Sequence, residues 1–125
     1  MTEYTKISNV KKGFEFEKYV IDYLSNKGFK IVKHRYFSPY GEIDIIAFHN
    51  EVLYIIEVKY RSNDLDASSL LTYNKVNNIY NSLLCFLDDY NQYLKFCIEF
   101  YLCFINKRHI KFFPFELNQY GIVDF

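Results

Sequence analysis

The hydrophobic pattern of the chain predicts two amphipathic helices. In residues 12–27 the apolar side chains recur three or four positions apart, and Gly28 follows where a glycine commonly ends a helix. Between Thr72 and Leu87 the pattern is clearer, because asparagines occupy the positions opposite the apolar ones. The apolar positions are Phe16, Val20, Tyr23 and Leu24 in the first segment, and Val76, Ile79, Tyr80, Leu83, Leu84 and Leu87 in the second.

Runs of β-branched and aromatic residues predict four strands and a fifth, interrupted one. The second and third strands flank a turn at His49-Asn50-Glu51, where asparagine tolerates a positive φ. The fifth strand follows the sequence NKRH at 106–109 and should be interrupted by Pro114. The order α-β-β-β-α-β-β predicts an α/β domain, with a small mixed sheet flanked by helices. The four uninterrupted segments are residues 29–33, 42–48, 52–60 and 95–104.

Length and composition indicate one compact domain. The 125 residues are 50% hydrophobic, which suffices for one core, and the chain is too short for two ordinary domains. No internal repeat and no linker rich in Pro, Gly or Ser divides the sequence. We therefore expect a single domain over residues 1–125, with residues 1–10 as a loosely ordered N-terminal segment.

The sequence gives no sign of secretion or membrane insertion. No apolar run follows the start MTEYTKISNV, and no stretch approaches the roughly 18 apolar residues of a membrane span. The three cysteines lie in apolar surroundings without CxxC spacing, which favours reduced thiols in a core. We expect a cytoplasmic protein without a membrane partner.

Charge is balanced overall but unevenly distributed along the chain. Residues 1–35 carry eight Lys/Arg and four Asp/Glu, whereas residues 36–125 carry seven and eleven, so the two parts have net charges of +4 and −4. The total of zero does not indicate a nucleic-acid or membrane partner. Any contact with nucleic acid must therefore come from a local basic surface.

The hairpin at residues 41–61, GEIDIIAFHNEVLYIIEVKYR, places charged residues where a buried core is expected. If the hairpin closes with an even loop, Asp44 lies opposite Glu57, and Glu42 lies opposite Lys59. Cross-strand partners have Cβ atoms about 5 Å apart, so two acids at such positions repel each other. Because side chains alternate along a strand, we expect all four groups on one face at one end of the hairpin.

A hard divalent cation would relieve this repulsion. Glu17 lies on the apolar side of the first helix and is expected to point toward the same cluster. Two or three carboxylates beside a lysine suit Mg²⁺ or Mn²⁺, which accept the same oxygen ligands. Such a site can hydrolyse phosphodiesters without a protein nucleophile, because the cation stabilises the developing charge and a lysine can position the attacking water.

The motifs in these segments resemble a known group of nucleases. An Asp followed by Glu-x-Lys on the next strand is similar to the PD-(D/E)xK superfamily, the restriction-endonuclease-like fold. More closely, Gly13-x-x-x-Glu17, GEIDII at 41–46 and IIEVKYR at 55–61 resemble the bacterial YraN family. That family is poorly characterised and often described as Holliday-junction-resolvase-like. The resemblance runs from about Gly13 to Leu117.

The resemblance implies a restriction-endonuclease-like fold and a Mg²⁺- or Mn²⁺-dependent endonuclease that acts on DNA. Three acids would hold the metal and the lysine would orient the attacking water. Two further residues belong to the adjoining turn of the motif. The implied metal and catalytic positions are Glu17, Asp44, Glu57 and Lys59, and the supporting ones are Gly41 and Glu42.

Basic side chains near this site are the candidates for DNA binding. Phosphate contacts from lysine and arginine supply most nonspecific affinity for nucleic acids. The family is often rich in arginine after the position of Lys75, but this chain reads Val76-Asn77-Asn78 there. The region of the first helix is therefore the better candidate for a basic surface. The predicted phosphate contacts are Lys12, Lys33, Arg35, Arg61 and Lys75.

Each assignment has a simpler alternative. Taken alone, Glu57 and Lys59 would be a solvated pair on a strand, Glu17 a helix-flank charge and Lys75 a solvated helix residue. The three histidines share no metal-ligand spacing, so they are expected to be surface or turn residues. The alternative function is a catalytically weak or inactive nucleic-acid-binding or accessory protein on the same fold. Branched or damaged DNA is a candidate substrate, and a homodimer is open because resolvases make two coordinated cuts.

Overall fold

The computed structural model describes residues 9–61, 71–106, 109–117 and 123–124. Residues 1–8 of the predicted N-terminal segment lie outside this range. The helices are α1 (Asn9–Asn26) and α2 (Tyr73–Asp89), with a 3₁₀ turn at Asn91–Tyr93. The strands are β1 (Lys30–Ser38), β2 (Gly41–His49), β3 (Val52–Tyr60), β4 (Cys97–Asn106), β5 (His109–Leu117) and β6 (Val123–Asp124).

The strands form a mixed sheet in which spatial order follows chain order. Strands β1, β2 and β3 make an antiparallel meander, β4 lies parallel to β3, and β5 returns antiparallel to β4. The short β6 pairs with the end of β5. A parallel pair requires a crossover connection, and the connection between β3 and β4 contains α2. The predicted α/β order is confirmed and is consistent with a restriction-endonuclease-like fold.

The two helices pack on opposite faces of the sheet, because the strands are apolar on both sides. Val20 and Leu24 of α1 pack in one core cluster with Ile45 and Ile56. The second cluster contains the buried side chains of α2 together with sheet residues such as Ile55. Both faces of the central strands are therefore buried, as expected for a layered α/β domain.

Helix α1 ends where the glycine predicts but begins earlier than predicted, at Asn9 rather than at residue 12. Gly28 has φ 92°, its N–H donates to Ser25, and the N–H of Phe29 donates to the carbonyl of Leu24, each at 3.0 Å. This is a Schellman ending, in which glycine takes the left-handed position without a side-chain clash.

Among the described residues, no helix combines the length and apolarity needed to cross a membrane.

The buried stripe of α2 differs in detail from the predicted one. Ser82 and Phe86 are buried, whereas Tyr80 and Leu84, both predicted to face the core, are 43% and 48% exposed. The hydroxyl of Ser82 lies 2.7 Å from that of Ser38 in β1. A single hydrophilic position inside the stripe thus serves as a hydrogen-bond anchor for the β1–β2 hairpin.

The β2–β3 hairpin has the predicted even turn. Asn50 and Glu51 have φ 49° and 64°, and the two residues connect the pair His49–Val52. The ladder keeps this register as far as Ile45–Ile56.

β2 and β4 differ from the predicted bounds by one or two residues at each end, and the larger differences are in β1 and β5. β1 continues beyond residue 33 to Ser38, and β5 runs through Pro114, which pairs with Tyr101. Within the described residues β6 pairs only with Glu116 and Leu117, so Pro114 stands at an edge position. Proline is tolerated at an edge because no ladder donor is required there.

The cysteines were predicted to be reduced thiols in the core, and only one of the three is fully buried. All three cysteines are free, but Cys97 is exposed and Cys85 is half-buried. Cys103 is fully buried, and burial raises the pKa of its thiol to about 12. Only Cys103 is therefore the inert core thiol that the sequence indicates.

Candidate active site

Strands β2 and β3 separate at Asp44 and Glu57, beyond the last ladder pair Ile45–Ile56. The backbone N–H of Asp44 donates to Glu57 Oε2 at 3.0 Å, and the backbone N–H of Val58 donates to Asp44 Oδ2 at 2.9 Å. Each acid thus accepts a hydrogen bond from the backbone of the opposite strand. These two side chains, called the carboxylate fork below, replace the ladder hydrogen bonds where the strands part.

The predicted one-face arrangement does not hold at this point of β2. Ile43 packs in the cluster on the side of α2, whereas Ile45 packs in the cluster on the side of α1. Residues two apart in a regular strand share a face, so the strand departs from regular alternation at Asp44. The carboxylate fork therefore lies where the side chains of β2 change from one face to the other, within reach of Lys75 of α2 and of the charge of Glu17 of α1.

Burial dominates the electrostatics of the carboxylate fork. Asp44 is 7% exposed and Glu57 is fully buried. Burial raises the pKa of Asp44 to about 6, although the ammonium groups of Lys75 and Lys59 oppose the rise. Burial and the charge of Asp44 raise the pKa of Glu57 to about 8. The carboxylate fork therefore carries less than two full negative charges at pH 7.

Lys75 reaches the carboxylate fork from the first turn of α2. The hydroxyl of Thr72 caps this helix by accepting a hydrogen bond from the N–H of Lys75 at 3.1 Å. Lys75 Nζ lies 3.3 Å from Glu57 Oε1. Burial alone would lower the pKa of Lys75, but the acids Glu57 and Asp44 outweigh it and raise the pKa. The structure thus places Lys75 as a counter-ion within the site, rather than as a solvated helix residue.

Glu17 is buried rather than solvated at the flank of α1. Arg35 Nε donates to Glu17 Oε1 at 2.8 Å, and Arg35 Nη2 lies 3.5 Å from Oε2. His34 Nε2 lies 2.8 Å from the same Oε1. His34 was expected to be an ordinary surface or turn residue, because the three histidines share no metal-ligand spacing. The longer β1 carries both partners of Glu17 into the site.

The donor set of the carboxylate fork fits a hard divalent cation. Within the described part of the chain, Glu57 Oε1 is buried, Lys75 Nζ lies 3.3 Å from it, and no backbone N–H donates to it. Mg²⁺ commonly uses one or two carboxylates and keeps several waters, so Asp44 and Glu57 suffice. Glu17 does not join them: the described residues contain no group of three His, Cys, Asp or Glu placed to hold a metal.

The remaining motif residues surround the carboxylate fork. Lys59 is half-buried two residues after Glu57, and its charge lowers the pKa of Asp44. The charge of Glu42 acts on both Arg35 and Lys75 and raises the pKa of each. A hydrogen bond to Glu17 is the largest cause of the rise for Arg35.

Gly41 begins β2 directly after the β1–β2 turn. It has φ 139°, a conformation that residues with a side chain rarely adopt, and an added Cβ would lie 3.8 Å from Asn78 of α2. This glycine therefore supports the turn that leads into the site.

Two predicted phosphate contacts line a cleft beside the carboxylate fork. Lys12 and Arg61 border a cavity of about 380 Å³ together with Val58, whose N–H binds Asp44. Lys33 lies elsewhere, with its Nζ 4.9 Å from the ring centroid of Tyr90. Of the five predicted contacts, two therefore border the cleft, Arg35 and Lys75 pair with acids of the site, and Lys33 packs on an aromatic ring.

A larger cavity of about 550 Å³ lies between the end of α1 and the sheet. Its described lining contains no Asp or Glu, and most of it is aromatic. Hydrolysis of a phosphodiester needs acids or a metal. This cavity is therefore a poorer candidate for that reaction than the carboxylate fork, despite its size. Its lining residues are Tyr23, Leu24, Lys27, Phe29, His49, Tyr54, Ile56, Tyr101 and Phe112.

Comparison with known proteins identifies a family. The model of "Uncharacterised protein family UPF0102" matches residues 16–109. A UPF0102 protein of Francisella tularensis subsp. tularensis (strain WY96-3418) is 32% identical over 120 residues, covering 94% of this chain and 100% of the relative. UPF0102 proteins of Helicobacter pylori (strain HPAG1) and Campylobacter fetus subsp. fetus (strain 82-40) are 35% and 34% identical, covering 70% and 80% of this chain and 76% and 88% of their own lengths.

Proposed function

The chain belongs to the uncharacterised protein family UPF0102, the YraN family that its motifs resemble, and from its site we propose that it is a metal-dependent DNA endonuclease. The family description assigns no activity, so the proposal rests on the site itself. The observation that carries it is the pair of reciprocal hydrogen bonds that holds the buried carboxylates of Asp44 and Glu57 together. The two carboxyl groups are held side by side with the pKa of each raised, and a divalent cation would stabilise both in the charged form.

In this proposal Asp44 and Glu57 hold Mg²⁺ or Mn²⁺. When bound, the cation supplies Lewis-acid stabilisation of the charge that develops on the phosphodiester. The backbone donors of Asp44 and Val58 keep the two carboxylates oriented, so little reorganisation is needed when the site is loaded.

Lys59 is proposed to orient the attacking water and to offset negative charge on the phosphate. It stands on the same strand as Glu57, and its charge already acts on Asp44. In the reaction, an oxygen–phosphorus bond forms to water and one ester bond to phosphorus breaks, which leaves a phosphate monoester and a hydroxyl. Lys75 supplies the counter-charge for Glu57 before the site is loaded.

DNA is the proposed substrate, and the cleft beside the carboxylate fork is its proposed path. Lys12 and Arg61 border that cleft, and basic side chains of this kind contact backbone phosphates. Such contacts position a strand without reading its sequence. Branched or damaged DNA is a candidate within this class, as the motif resemblance implies.

The test is cleavage of a panel of linear, single-stranded, flapped and four-way DNA with Mg²⁺ or Mn²⁺. We expect the wild type to cut at least one substrate and EDTA to stop it. Asp44→Asn and Lys59→Ala should each lower the rate by about 100-fold or more, because the first removes a metal ligand and the second removes a positive charge near the reacting phosphate. Asp88→Asn and Lys30→Ala, at exposed positions, serve as matched controls. Equal cleavage by wild type and Asp44→Asn would indicate a contaminating nuclease and reject the proposal.

The second candidate function is a catalytically weak or inactive nucleic-acid-binding protein. One observation favours it: Glu17 and Glu57 are already paired with Arg35 and Lys75, so the protein neutralises its own acids. Binding of the DNA panel without hydrolysis in either metal, unchanged in Asp44→Asn, would support this function. Paired symmetric cuts in four-way DNA would instead support the nuclease and call for a homodimer, which light scattering would detect.

A further inference from the structure

Arg35 has an unusual backbone conformation for a residue inside a strand. Its φ is 60°, and the other two non-glycine residues with positive φ in the described chain, Asn50 and Glu51, form a tight turn. A left-handed backbone conformation costs free energy at a residue with a long side chain, and it persists where the surrounding structure holds that residue in place. The ladder pairs His34–Ile45 and Tyr36–Ile43 flank Arg35, so it stands at the register position of Asp44.

The side chain of Arg35 is held by Glu17 and by an aromatic ring. Its guanidinium contacts both oxygens of Glu17, at 2.8 Å and 3.5 Å, and its Cζ lies 5.2 Å from the ring centroid of Phe14. His34 contacts only Oε1, at 2.8 Å, and stacks on the same ring at 4.7 Å. The contact to Oε2 therefore comes from Arg35.

Glu17 is consequently engaged within the protein, although it lies near the carboxylate fork. Its charge acts on Asp44, but the described residues include no set of three acids placed to hold one metal. The arrangement separates one acid, paired with Arg35, from the two that form the carboxylate fork. Removal of the guanidinium would free Oε2 while Oε1 kept its contact with His34.

We propose that Arg35 is a positioning residue, which withholds Glu17 from the metal centre until a phosphate of the DNA substrate takes over the guanidinium. This proposal rests on the proposed function. Arginine binds phosphate as readily as carboxylate, through the same paired N–H groups, so a strand phosphate at the site can replace Glu17. Glu17 then becomes available as a third oxygen ligand. Full metal loading therefore follows substrate binding.

The direct test is Mn²⁺ affinity, measured by calorimetry without DNA. We expect Arg35→Asn to bind Mn²⁺ about tenfold tighter than the wild type, the scale on which residues next to metal ligands act. Asparagine tolerates a positive φ and is too short to hold Glu17, so the strand conformation is kept. Arg61→Asn removes a nearby positive charge without this pairing, and we expect a much smaller change. A circular-dichroism melt verifies that each variant is folded.

The coupling to Glu17 separates this mechanism from general charge removal. In a Glu17→Gln background, Arg35→Asn should give no gain in Mn²⁺ affinity, since no carboxylate is left to release. A phosphorothioate duplex that resists cleavage should tighten Mn²⁺ binding in the wild type and leave Arg35→Asn unchanged.

Equal Mn²⁺ affinity of wild type and Arg35→Asn, or an equal gain in both Glu17 backgrounds, would overturn the positioning role. That result leaves the proposed function standing if the wild type still cuts DNA and Asp44→Asn does not. Conversely, a Glu17-dependent gain in Mn²⁺ affinity without any cleavage would reject the nuclease and keep the role of Arg35 in metal binding.

Discussion

At the scale of single residues, the carboxylate fork shows how two acids are tolerated inside a sheet. A buried carboxylate is costly unless it accepts hydrogen bonds or is paired with a cation. Asp44 and Glu57 each accept one backbone N–H, and Lys75 lies within ion-pair distance of Glu57. The remaining free-energy cost of burying the charged form raises the pKa values of both acids, because protonation removes the charge that burial disfavours.

The stability of the metal-free protein should therefore fall as the pH rises from 5 to 8. The folded-state pKa values of Asp44 and Glu57, about 6 and about 8, lie above those of unfolded acids, so the folded state binds more protons in this range. The free energy of unfolding should drop by on the order of a few kcal/mol. Urea unfolding in EDTA at several pH values measures it.

Glu57→Gln should flatten this pH dependence, since it removes the more strongly shifted group. Glu15→Gln, which changes an exposed acid on α1, should leave the slope as in the wild type. A slope that is the same in Glu57→Gln would show that other groups cause the effect.

At the scale of elements, the first turn of α2 connects helix capping to the site. Thr72 accepts the N–H of Lys75, and the same lysine extends its ammonium to Glu57. The cap thus sets where the helix begins and, with it, where Lys75 stands relative to the sheet. A shift of one residue at this helix start would turn Lys75 by about 100°, away from the carboxylate fork.

Thr72→Ala should destabilise the protein by about 1 kcal/mol, because an N–H of the first turn loses its side-chain acceptor. Thr72→Ser retains a hydroxyl and should cost much less. The midpoint of urea unfolding gives both values. An alanine variant as stable as the serine variant would show that the cap contributes nothing.

At the scale of the whole molecule, the site forms where both helical layers meet one end of the sheet. Helix α1 contributes Glu17, α2 contributes Lys75, and β2 and β3 contribute the carboxylate fork. A metal bound at the carboxylate fork would be held by residues that are adjacent only in the folded state. Metal binding and folding are then linked.

Mg²⁺ or Mn²⁺ should raise the melting temperature more at pH 8 than at pH 5. At the lower pH protons compete for Asp44 and Glu57, whose pKa values are about 6 and about 8. At a metal concentration of about 100 Kd, the stabilisation should be about 2.7 kcal/mol. Thermal melts with and without metal measure this, and Asp44→Asn should abolish the shift. An equal shift in Asp44→Asn would place the metal elsewhere.

DNA binding should depend on salt through the basic residues of the cleft. Lys12→Gln and Arg61→Gln should each weaken binding and reduce the slope of log K against log salt by about 1. Lys33→Gln is the matched control, because Lys33 packs over Tyr90 away from the cleft. Fluorescence anisotropy at several salt concentrations gives the slopes. If Lys33→Gln weakened DNA binding more than the cleft variants, the DNA would be bound instead on the face of the sheet that α2 covers.

Local sequence patterns were sufficient to predict most elements. The glycine at 28, the Asn50-Glu51 turn and the apolar spacing of α2 each act over a few residues, so they are readable without tertiary information. The predictions were wrong where tertiary packing, and not local spacing, decides which side chains are buried. Tyr80 and Leu84 fit the helical spacing of α2 but are exposed, because the sheet contacts the stripe that includes Phe86 instead.

For the site, the sequence by itself determined that Asp44 and Glu57 meet across the β2–β3 hairpin, because a two-residue turn sets the register of antiparallel strands. Only the tertiary structure decided the separation of the strands at Asp44, the pairing of Glu17 with Arg35 and His34, and the contact of Lys75 with Glu57. The physical reason is the distance along the chain between the residues that interact. Register depends on neighbouring residues, whereas these pairings depend on the packing of two helices against opposite faces of one sheet.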